Sequence, residues 1–144
     1  MNTGRRKVTS MKTKITGLLA LGLALGLGAS ASAHHSTNLY IDASKKQTIQ
    51  GTFVALKMAN PHAIIQLMAP GKGGKMETWA IETHAPGSLI RLGWKPNTFR
   101  KGEKITVIGN PSRNGDPYMN LVEVVFADGY KLSPGMANRP RPGT

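Results

Sequence analysis

From residue 47 onward the chain alternates apolar and polar positions with a period of two, the spacing that a strand with one buried face requires. Ile49, Gly51 and Phe53 share one phase; the phase then slips by one residue and resumes at Leu56 and Met58. Such a slip predicts a β-bulge, and Gly51 suits a strongly bent strand. Asn60-Pro61 ends this strand, because proline has no N–H to give to a ladder and fixes φ near about −65°. A second strand follows, with Ala63, Ile65 and Leu67 alternating against Ile64, Gln66 and Met68. His62, at its start, is therefore expected on the rim of the sheet.

The remaining elements are short and well punctuated. Pro70 to Lys75 reads as a flexible hairpin loop; its glycines and lysines lack the spacing of a phosphate-binding loop, and no helix follows them. The third strand is Met76 to Glu82, with Trp79 and Ile81 on one face. Pro86 to Gly93 predicts a short helix that stops at Gly93, and Trp94 then folds back as a core plug. After a turn at Lys101-Gly102-Glu103 comes a fourth strand, Lys104 to Asn110. The turn Asn114 to Pro117 leads to a fifth, Tyr118 to Phe126, and Asp128-Gly129 returns a last short strand, Tyr130 to Leu132. Five or six short strands, a bent first strand and one helix between strands three and four predict a mainly β protein: a small OB-fold-like barrel, with an open β-sandwich as the rival. The barrel domain is expected over residues 47–132, behind an arm at 34–46 anchored by Leu39, Tyr40 and Ile41. Residues 133–144 have the composition of a disordered tail.

The first 33 residues have a different character. Five basic residues precede the apolar run Ile15 to Leu27, and Ala31-Ser32-Ala33 supplies a cleavage signature, so residues 1–33 read as a secretory signal. Met1 and Met11 are both plausible starts, and the expected address is the periplasm or the exterior. The apolar run is short for a membrane span, and no second one follows, so no transmembrane segment is expected after processing. Removing five of the 19 Lys+Arg and none of the 7 acids lowers the net charge from +12 to +7. That excess suits a solvated surface attracted to anionic groups, and the exported address argues against a nucleic-acid partner. The chain has no cysteine, so packing alone must hold it together even in an oxidising compartment.

A set of local motifs runs through the chain: His34-His35-Ser36 after the signal, Gly51-Thr52-Phe53, Asn60-Pro61-His62-Ala63, Trp79-Ala80-Ile81-Glu82, Leu89-Ile90-Arg91-Leu92-Gly93-Trp94, Lys101-Gly102-Glu103 and Asp128-Gly129. This set resembles a family of small exported bacterial proteins catalogued only as a domain of unknown function. The resemblance covers nearly the whole processed chain and implies a periplasmic β-barrel without an assigned activity. Ile64 stands where the family pattern often has an aromatic residue, and His84 stands where a small residue is expected.

Cleavage after Ala33 would make His34 the new terminus, and its amine and imidazole could together chelate one metal ion. This resembles the histidine brace of periplasmic copper carriers and copper-dependent polysaccharide oxygenases. Imidazole suits Cu(II), and both nitrogens lose their protons at modest cost near neutral pH. The expected metal residues are His34, His35, His62 and Glu82, with copper as the ion; Met58 and Met68 are softer candidates but usually core filler. The competing reading makes His34-His35 a plain terminus and lets His62 bond its own turn. No hydrolytic triad or carboxylate pair stands out, so the expectation is a non-enzyme. The alternative function is a binding module for an envelope glycan or other anionic ligand. On that reading Tyr118 would stack on sugar, as would Trp94 if it were not the core plug.

Overall fold

The computed structural model describes residues 40–143. The expected signal at 1–33 and the expected arm up to Leu39, with His34 and His35, lie outside the described residues.

Six strands follow in chain order: β1 (Gln47–Lys57), β2 (Ile64–Pro70), β3 (Met76–Glu82), β4 (Lys104–Pro111), β5 (Tyr118–Phe126) and β6 (Lys131–Leu132). One short helix, α1 (Pro86–Arg91), stands between β3 and β4. Neighbours in the sheet run β3-β2-β1-β4-β5-β6, and a parallel pairing of β3 with β5 closes the first five into a barrel. That strand order with its interposed helix makes the barrel OB-fold-like. Closure leaves few unpaired strand edges, which matters in a chain with no disulfide.

Strand β1 serves two neighbours in turn. Its first half pairs with β4, from Gln47 opposite Gly109 to Thr52 opposite Lys104. Its second half pairs with β2, and the register shifts between Phe53 and Ala55. This bulge is the phase slip visible in the sequence: it turns the strand and restores Leu56 to the core side. A second shift, between Ile108 and Gly109, bends β4 against β5. A Cβ on Gly109 would lie 2.5 Å from the Asn120 carbonyl oxygen, so only glycine lets the two backbones approach there.

The barrel is filled by alternate residues of every strand, among them Phe53, Ile65, Leu67, Trp79, Ile81, Val107, Met119 and Val124. Helix α1 contributes Leu89, and the chain then folds Trp94 and Phe99 inward. Phe99 stacks on Phe53 with centroids 4.8 Å apart and meets Trp94 and Phe126 at 5.8 and 5.3 Å. Trp94 is 1% exposed, which removes it as a sugar-stacking surface.

The C-terminal segment departs from the expectation of a disordered tail. Trp94 Nε1 donates to the Ser133 carbonyl at 3.2 Å. Asn138 ties the chain back to the helix end: its backbone N–H and side-chain amide both donate to the Leu92 carbonyl, at 2.9 and 3.0 Å. Arg141 is 5% exposed and donates to Asp128, Glu103 and the Thr98 carbonyl. Composition misleads here because the fixing groups are few and long-range. One arginine and one asparagine, set among prolines and glycines, find partners that only the folded barrel assembles.

Candidate functional site

Paired residues in a sheet share a face, so the ladders can be read as rows. One outward row runs Lys57, Ile64, Glu82, Asn120, Asn110 across β1, β2, β3, β5 and β4. Glu82 lies at its centre, with the β1–β2 loop on one side and the β4–β5 loop on the other. This is the face and loop pair with which OB-folds hold oligomeric ligands.

His62 comes from the β1–β2 loop. Asn60-Pro61 is a cis peptide, and two bonds across the loop, Ala63 N–H to the His84 carbonyl and Thr83 N–H to the Ala63 carbonyl, fix the backbone just after it at 3.0 Å each. Nδ1 of His62 lies 2.5 Å from Oε1 of Glu82; the His62 side chain is 46% exposed and the Glu82 side chain 14%. A carboxylate on Nδ1 fixes the ring orientation, and in the neutral imidazole it leaves the Nε2 lone pair for another partner. Close to the pair, Asn120 Oδ1 and Thr83 Oγ1 are buried without a hydrogen-bond partner.

Of the four expected metal residues the structure brings two together, His62 and Glu82; His34 and His35 are outside the described residues. Among the described residues no group of three or more His, Asp or Glu converges as a cation would require. His84 is exposed at the turn after β3, and Met58 packs against the core. Met68 lies on the outward face of β2, opposite Thr52 and Thr78.

The sequence reading passed over Asp116. It sits in the Asn114 to Pro117 stretch, whose composition announces a turn and so hides the carboxylate. Asp116 accepts a hydrogen bond from the Tyr40 hydroxyl and a second from Asn114 Nδ2 at 2.8 Å. The Tyr40 bond first, then that of Asn114, holds the Asp116 carboxyl below its ordinary 3.8. The same bond to Asp116 raises the Tyr40 hydroxyl above its ordinary 10.0. Tyr40 also meets Tyr118 edge to face, with centroids 5.5 Å apart. Ile41 bridges to Ser112, so the described start of the chain lies along the β4–β5 loop.

A surface groove of about 620 Å³ lies away from the His62–Glu82 pair, among Gln50, Met76, Lys104, Thr106 and Val125. Its one cation, Lys104, already donates to the Thr52 hydroxyl at 2.7 Å. Among the described residues no helix is long and apolar enough to cross a membrane.

The model of a family of unknown function, DUF6152, matches residues 23–119. No curated protein matches the chain. Among solved structures, the ZRD-deleted mutant of TiaS in complex with agmatine is similar over 71% of this chain at 14% identity, with a TM-score of 0.42. The chain spans 26% of that protein's length.

Proposed function

The chain belongs to the DUF6152 family of unknown function, and from that premise we propose that it is an exported, non-catalytic barrel that binds one divalent metal ion, copper above others. In this reading His62 Nε2 is one ligand, and the processed amino terminus supplies the rest through the amine and ring of His34, with His35 in reserve. Glu82 orients His62 instead of ligating, which changes its role from the one the sequence suggested. The observation that carries the reading is the 2.5 Å contact between Nδ1 of His62 and Glu82. Carboxylate-backed imidazoles with a free second nitrogen are the usual form of a metal-ligating histidine.

Calorimetric titration of Cu(II) into protein processed to His34 tests this. One equivalent is expected to bind. An added N-terminal Gly, which turns the amine into an amide, should weaken binding at least as much as His62→Ala. Glu82→Gln should weaken it by roughly 10-fold while keeping the stoichiometry. Equal affinity with and without the Gly excludes the amine; indifference to His62→Ala excludes the rim histidine and ends the proposal.

A further inference from the structure

Going beyond the metal reading, we propose that a second site, in the cleft between the β2–β3 and β4–β5 loops, binds a hydroxyl-rich sugar ring between the Trp79 indole N–H and the Asp116 carboxylate. The cleft measures about 290 Å³ and is lined by Gln47, Pro70, Lys72, Trp79, Pro111 and Asp116, among others. That volume is near the lower end for small-molecule sites and is enough for one pyranose.

Two polar groups in its wall have capacity left over. Trp79 is 6% exposed, and its Nε1 is buried with no hydrogen-bond partner. Buried polar groups are nearly always paired, so an orphaned indole N–H on a residue that lines a cleft points to an acceptor supplied from outside. The contrast with Trp94 is direct, since its Nε1 is satisfied by the Ser133 carbonyl. At the other side, Asp116 uses Oδ2 for Tyr40 and Asn114, while Oδ1 accepts no bond from the described residues.

The indole can only donate and the carboxylate can only accept. A ligand that meets both must therefore accept at one end and donate at the other. A simple anion satisfies Trp79 but is repelled by Asp116, and a simple cation does the reverse. A hydroxyl does both, and a ring carrying several can reach both groups. The rest of the wall favours the same class. Pro70 and Pro111 offer C–H surface to the apolar face of a sugar, and Lys72 adds a donor from an exposed loop position. Tyr40, 38% exposed beside Asp116, extends this surface outward.

The chain has 2 tryptophans, so a ¹⁵N-labelled sample gives two indole N–H resonances, and Trp94 serves as the internal control. The probes are N-acetylglucosamine and methyl glucoside, titrated into the full processed chain, with glycine as a zwitterionic comparison. The expected result is a saturable shift of the Trp79 resonance with the sugars, while the Trp94 resonance stays in place. Asp116→Asn should weaken sugar binding about tenfold, the size of one charge-assisted hydrogen bond. His62→Ala should leave it unchanged, which separates this site from the metal site. If Asp116→Asn does not fold, Lys72→Ala on the exposed loop carries the test, with a several-fold loss expected. A Trp79 resonance that ignores both sugars, a stronger response to glycine, or an affinity indifferent to the folded loop variant would overturn the proposal.

Discussion

The guanidinium carbon of Arg141 lies 3.9 Å from the centroid of the Phe126 ring. The same side chain reaches Asp128 Oδ2 and Glu103 Oε2, each at 3.0 Å. A buried arginine is tolerable only when its donors are met, and here the end of the chain is held down by that requirement. Arg141→Ala removes the cation beside Glu103, whose side chain is 16% exposed and keeps only the Arg100 N–H, and uncovers Phe126. It should lower stability by roughly 3 kcal/mol in urea unfolding. Removing residues 138–144 should act in the same direction. If the truncated chain melts like the whole one, the packing of this segment contributes nothing to stability.

Phe53 tests the core from the other side. It stacks on Phe99 and is 6% exposed, within a barrel that no disulfide supports. Phe53→Ala should cost about 3–5 kcal/mol. Against a total of roughly 5–15 kcal/mol, that leaves little folded protein at elevated temperature. Circular dichroism melts would check it, and a loss below about 1 kcal/mol would contradict the packing described.

Three carboxylates are held below their ordinary range. Asp42 is held below its ordinary 3.8 by the Ser44 hydroxyl and then Lys45. Asp116 is held down by Tyr40, and Asp128 by the Tyr130 N–H with a further contribution from Arg141. A depressed folded-state value means that the unfolded chain takes up protons first as pH falls. The stabilisation is therefore complete above 3.8 and is lost as pH drops through the lower folded-state values. The melting temperature should decline below that point, and Asp128→Asn should make the decline shallower. An unchanged acid limb in Asp128→Asn would show that the Arg141 and Tyr130 contacts carry no linkage.

Local pattern was enough for the barrel. The period-two phases of β1 to β5, the slip at Phe53, the helix from Pro86 and the plug at Trp94 all follow from residues within a few positions of one another. Alternation encodes which face is buried, and glycine and proline encode where a strand must stop. Those signals survive in the unfolded chain, so they can be read without coordinates.

Pairings between distant residues depend on closure. The parallel join of β3 to β5 puts Glu82 beside Asn120, and the arm's approach to the β4–β5 loop puts Tyr40 on Asp116. The sequence by itself determined the strands, the bulge and the rim position of His62. Only the tertiary structure decided that Glu82 would hold that histidine, that Trp79 would lack a partner and that Arg141 would be buried. The reason is physical: burial and hydrogen-bond satisfaction belong to the assembled barrel, where residues dozens of positions apart share one environment, and no local spacing encodes them.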